Sequence, residues 1–115
     1  MPEFEISPQA VAEKLKLNET ITVLDVRELW EVERVHLDDP HVTVLPLSRI
    51  GAELENAFPD SLKDRAAEII VMCHHGSRSG QVTQWMRQNG WQNVRNLTGG
   101  IDAYAAKIDK TIGFY

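Results

Sequence analysis

An α/β sandwich, with a mostly parallel sheet covered by helices on both faces, is predicted from three observations. Short apolar runs recur along the chain, segments with apolar residues at helical spacing lie between them, and most of the runs lack the alternation of a strand with one wet face. A weak strand at residues 3–6 precedes Ser7, an expected N-cap, and Pro8 at the first helical position, with Val11, Ala12 and Leu15 on one helix face. "ITVLDV", 21–26, is the next strand, and "ELWEVERV" follows as a helix with Leu29, Val32 and Val35 at helical spacing and Trp30 as a core aromatic. A loop rich in Asp, "VHLDDPHV" at 35–42, leads to a strand at 42–47. Ser48 then caps a helix carrying Ile50, Leu54 and Phe58, whose acidic part, 53–60, is a solvated face. The strand "EIIVM", 68–72, precedes the clearest helix, "SGQVTQWMRQNG", in which Val82, Trp85 and Met86 share a face and Gly90 is the stop. "NVRNL", 93–97, is the last strand.

The bulk numbers bound the function. A chain of 115 residues fits a single domain, 1–115, with no internal repeat or linker. No apolar run approaches the roughly 20 residues of a membrane span, and the acidic start, with Glu3 and Glu5, lacks the features of a secretory signal; a cytoplasmic protein without membrane contact is expected. The net charge of −5, from 12 basic and 17 acidic residues, works against nucleic acid as a partner. One cysteine, Cys73, excludes an internal disulfide and leaves a free thiol.

That cysteine ends an apolar strand in "IIVMCHHGSRSG". In parallel sheets, ligands bind outside the carboxyl ends of the strands. Gly76 lets the following residues turn tightly into a helix, so that successive backbone N–H groups of His74, His75, Gly76, Ser77, Arg78 and Ser79 face inward as an anion cradle. The N–H groups, the helix dipole and the always-charged Arg78 favour thiolate over thiol at Cys73. His74 and His75 read as residues lining the mouth, because adjacent ligands lack the separated pairs of a tetrahedral zinc site, and no metal is expected. His36 and His41 have no partner pattern and read as surface or capping residues.

A cysteine in such a cradle serves phosphoryl transfer through a cysteinyl phosphate or sulfur transfer through a persulfide. Four residues separate Cys73 from Arg78. Cysteine-dependent tyrosine phosphatases use a longer loop, wide enough for three equatorial phosphate oxygens; the shorter one suits the outer sulfur of a persulfide.

Three segments carry a family resemblance: "LDVRE" at 24–28, "CHHGSRS" at 73–79 and "NLTGGIDAY" at 96–104, in order and at matching spacing. On these the chain resembles a single-domain rhodanese, a sulfurtransferase. The resemblance implies a roughly five-stranded parallel sheet, flanked by helices. It also implies that Cys73 takes a sulfane sulfur from thiosulfate, releasing sulfite, or from a persulfide donor, and passes it to cyanide or a thiol, with no cofactor. A protein can serve as donor or acceptor. The backbone N–H groups of 74–79 would hold the persulfide. Asp25 and Arg27 are expected to support the site, Asp25 by pairing with Arg78 and orienting the loop; the alternative for Arg27, with Glu28, is a solvated start to the next helix, and Tyr104 is expected to pack where the family often has Trp.

Two departures stand out. "VHLDDPHV" replaces the family's Gly-His-Ile-Pro-Gly-Ala, keeping His36 and losing both glycines. Where thiosulfate-using relatives carry Arg and Lys after the cysteine, this chain has His74 and His75, only partly protonated near neutral pH; weak binding of the thiosulfate dianion is expected, and a protein or low-molecular-weight persulfide is the other donor. The alternatives are a non-catalytic rhodanese-like binding module and, opposed by the loop count, a phosphatase or arsenate reductase.

Overall fold

The computed structural model describes residues 2–115, of Pro2 the backbone alone. Five strands, β1 (Glu5–Ile6), β2 (Thr22–Asp25), β3 (Val42–Val44), β4 (Ile69–Met72) and β5 (Val94–Leu97), form one parallel sheet in the order β1-β5-β4-β2-β3. The helices are α1 (Pro8–Lys16), α2 (Leu29–Arg34), α3 (Leu47–Glu53), α4 (Ser77–Gln88) and α5 (Gly100–Lys107).

Strand periodicity divides the core. In β4, Ile69 and Val71 face one side, packing with Ile50, Phe58, Val82, Met86 and Trp91, whereas Ile70 and Met72 face the other, with Val11, Ile101 and Tyr104. All four β4 residues are fully buried, as expected for a central parallel strand. Cys73 continues the alternation and joins the first cluster, turning its sulfur toward α4. Register aligns the carboxyl ends: Asp25 lies opposite Met72, and Val71 opposite Asn96.

Most local expectations hold. Ser7 Oγ accepts from Ala10 N–H and Pro8 opens α1; α4 ends before Gly90. Four differ. β3 is an edge strand with Val44 exposed and ends early, because Leu45 and Leu47 donate to Asp25 O and Val26 O as the chain bends into α3. The N-cap of α3 is Pro46 rather than Ser48, whose hydroxyl instead donates to Glu28 Oε1 at 2.7 Å. The expected single helix breaks at Leu54, whose φ of 54° takes the backbone out of the helical region, and continues as a 3-10 turn over Leu54–Ala57. Leu29 and Trp30, expected inside, are 62% and 59% exposed; α2 instead buries Glu31 and delivers Val35 to the interior.

The start of α5 lies directly beneath the loop after β4. Ile101 N–H donates to Cys73 O at 2.9 Å and Asp102 N–H to His74 O at 3.1 Å. This approach requires glycine at position 100: its φ is +66°, and a Cβ there would stand 2.5 Å from Cys73 O and 2.4 Å from His74 O. Gly100→Ala is therefore expected to lose at least about 2 kcal/mol of stability in a denaturant titration; an unchanged midpoint would show that the close approach is dispensable.

Candidate active site around Cys73

Cys73 is 1% exposed, at the carboxyl end of β4. Gly76, with φ of 102°, turns the loop back so that its N–H donates to Cys73 Sγ at 3.1 Å and its residue caps α4. Ser79, fully buried in the first turn of α4, sets its Oγ 3.2 Å from the same sulfur. The N–H groups of Ser77, Arg78 and Ser79 open α4 and have no acceptor within the helix. The sulfur thus sits over a helix N-terminus, between a backbone N–H and the Ser79 hydroxyl oxygen, and the helix terminus accommodates negative charge.

Charged side chains form a ring beside this cradle, and their pairing differs from expectation. Asp25 does not reach Arg78. Its two oxygens accept from Arg27 Nε at 3.0 Å and Nη2 at 2.8 Å, and its Oδ1 also accepts from Arg27 N–H. Arg27 is fully buried, not a solvated helix start, and Glu28 anchors Ser48 through that residue's N–H and hydroxyl. Arg78 is held by Glu31 through two parallel bonds of 2.7 Å. The reason is geometric: the fork of Arg27, two residues along an extended segment from Asp25, saturates that carboxylate, and the first turn of α2 carries Glu31 to Arg78.

Tyr115 closes the ring. Its hydroxyl donates to Glu31 Oε1 at 3.0 Å and accepts from Arg27 Nη1 at 3.2 Å. Its ring stacks on His74 with centroids 3.9 Å apart, and His75 stacks on the other face at 3.8 Å. His75 is the exposed member, 3.7 Å from Asp102. His74, His75 and Asp102 each offer a ligand atom within 4.8 Å of the others.

These contacts set protonation. The Arg78 bonds hold the Glu31 carboxyl down at about 2, against the opposing effect of burial. Reciprocally, Arg78 is raised above the ordinary arginine value by Glu31. Burial, then the neighbouring His75, lowers His74 below the usual imidazole value, so His74 stays neutral near pH 7. Burial also raises Tyr115.

The rhodanese-like domain profile matches residues 7–107. The chain belongs to the rhodanese-like domain family. It is 38% identical over 93 residues to Rhodanese-like/PpiC domain-containing protein 12 of Arabidopsis thaliana, covering 81% of this chain and 30% of that protein. To a sulfurtransferase of Allochromatium vinosum it is 30% identical over 101 residues, covering 88% and 87%. A human single-domain sulfurtransferase shares the fold with a TM-score of 0.75 at 20% identity, covering 90% and 96%. The chain spans 30% of the Arabidopsis relative's length and 52% of a similar Bacillus subtilis protein. Among the described residues, no helix of this rhodanese-like domain is long and apolar enough to cross a membrane.

Of the expected site residues, the structure gathers Cys73, Gly76 and Ser79 around the sulfur and gives His74 and His75 to an aromatic stack. The sequence patterns did not single out Glu31, Asn96 or Tyr115. A signal existed for Glu31: it stands three residues after Glu28, whose N–H it accepts at 3.0 Å, the spacing of a capping box. The Glu31 carboxyl sits below its unfolded value of 4.5, so its contribution is complete above that pH and is lost as pH falls toward about 2. This displacement corresponds to roughly 3 kcal/mol. In Glu31→Gln, denaturant titrations are expected to lose about that much pH dependence across the interval; a variant matching the wild-type pH dependence would remove the pair from the acid-stability balance.

Proposed function

We propose that this domain is a sulfurtransferase that carries sulfane sulfur as a persulfide on Cys73. Sγ over the α4 N-terminus, with Gly76 N–H and the Ser79 hydroxyl beside it, is the observation that supports this reading most directly. The thiolate attacks the outer sulfur of a donor. With thiosulfate the S–S bond breaks and sulfite leaves with the electron pair; with a low-molecular-weight or protein persulfide, a thiolate leaves. A nucleophilic acceptor, cyanide or a thiol, then attacks the outer sulfur of the Cys73 persulfide, forming thiocyanate or a new persulfide and restoring the Cys73 thiolate. The sulfur travels covalently, and neither metal nor organic cofactor enters.

The free N–H groups of the α4 first turn are suited to the charge of the outer sulfur. Arg78 is engaged bidentately by Glu31, which argues against phosphoryl transfer, where an arginine must be available to equatorial oxygens. It also disfavours a dianion: with Arg78 paired and His74 held neutral by burial, thiosulfate gains little from the mouth. A persulfide is the preferred donor class, and a cytoplasmic setting suits a chain that relies on a reduced thiol.

Intact mass tests the reading. Wild-type protein incubated with a small-molecule persulfide is expected to gain one sulfur atom, lost again on adding cyanide and absent in Cys73→Ala; thiosulfate should load it more slowly. If neither donor adds sulfur to Cys73, the reading fails.

A further inference from the structure

Asn96, at the carboxyl end of β5, is 5% exposed and meets the Ser79 hydroxyl that also lies beside the sulfur. Its contacts fix the orientation of its amide. Nδ2 lies 3.0 Å from Glu5 Oε2, 3.2 Å from Glu5 Oε1 and 3.0 Å from Gly76 O, all acceptors. A flipped amide would set its oxygen against a carboxylate and a carbonyl, so Oδ1 is the atom that meets Ser79 Oγ, at 2.5 Å. Oδ1 only accepts, so that contact uses the single proton of the Ser79 hydroxyl.

The same hydroxyl oxygen is 3.2 Å from Cys73 Sγ, and Ser79 has no exposed surface. One proton therefore serves two acceptors. While Cys73 is a thiol, its S–H donates to Ser79 Oγ and the hydroxyl donates to Asn96. When Cys73 is a thiolate, sulfur and amide compete for the proton, and donation to sulfur breaks the Asn96 bond. We propose that Asn96 is a positioning residue which, through Ser79, sets how readily Cys73 ionises: it holds the hydroxyl proton away from the sulfur and opposes thiolate formation. In the persulfide, whose role rests on the function proposed above, charge moves to the outer sulfur and the hydroxyl returns to Asn96. The amide thus gives the proton a place in the loaded state.

The charged and titratable groups around the site are Arg78 on α4, His74 and His75 in the loop, Asp102 on α5, Glu31 on α2 with Tyr115, the Asp25–Arg27 pair at the end of β2, and Glu5 on β1. Asn96→Ala removes a neutral amide and leaves all of these charges in place; Glu5 keeps its bond from Thr98 Oγ1. The experiment is the pH dependence of Cys73 alkylation by iodoacetamide, in which the thiolate displaces iodide without any sulfur transfer. Failure here is thus distinct from failure of the persulfide reading. Asn96→Ala is expected to lower the pH midpoint by about 0.5–1 pH unit, one hydrogen bond's worth. In a Ser79→Ala background the same change should have no effect. An unchanged or raised midpoint, or the same fall without the Ser79 hydroxyl, overturns the proposal. A second readout needs no variant at position 96: in wild-type protein the Asn96 side-chain amide resonances should titrate with the alkylation midpoint, and resonances that stay constant through it would overturn the proposal if Asn96→Ala does not fold.

Discussion

Everything at this site depends on the docking of the α5 N-terminus against the backbone of the loop after β4. Two helix N–H groups that would otherwise lack partners satisfy the carbonyls of Cys73 and His74, two loop acceptors that would otherwise be buried alone. With its carbonyls held from below, the loop presents an N–H to the sulfur through Gly76. The contact is possible because Gly100 has no Cβ where the two backbones meet. Central strands aligned at their carboxyl ends supply the platform, and strand alternation turns Cys73 toward α4 rather than α5.

Around this neutral cradle the charges are committed in pairs. Asp25 holds Arg27, Glu31 holds Arg78, and the Tyr115 hydroxyl joins the two pairs. A buried ion pair is seldom a large net source of stability, but breaking one leaves the other charge exposed to the interior, so these pairs are coupled to the geometry of the loop. Their effect on chemistry follows from what they leave free. The sulfur meets hydrogen-bond donors and a helix terminus instead of an unpaired cation, which suits a singly charged sulfur better than a multiply charged oxyanion.

Much of this was legible in the sequence because it depends on local physics. The Ser7 and Pro8 start of α1, the strand ending at Met72, the turn at Gly76 and the apolar face of α4 are written in spacing and residue type. Partner choice was not. Asp25, at the carboxyl end of its strand, was expected to pair with Arg78, and the nearer fork of Arg27 took it. The periodicity of α2 set Leu29, Val32 and Val35 on one face and passed over Glu31, which is buried and binds the partly exposed Arg78 through both of its carboxylate oxygens. Asn96 lay within a noticed motif, but its role comes from Ser79 and Glu5, which sit 17 and 91 residues away. Tyr115 stacks on His74 from outside every motif.

The central claim is that the turn from Cys73 into α4 holds the charge of a sulfur carried on Cys73, while the α5 contact beneath it stays fixed. Backbone amide resonances before and after loading with a small-molecule persulfide test this directly. The amide protons of Gly76, Ser77, Arg78 and Ser79 should move as they take a charged acceptor, with those of Ile101 and Asp102 unchanged. Loading that leaves the first group in place, or that displaces the second, would contradict it.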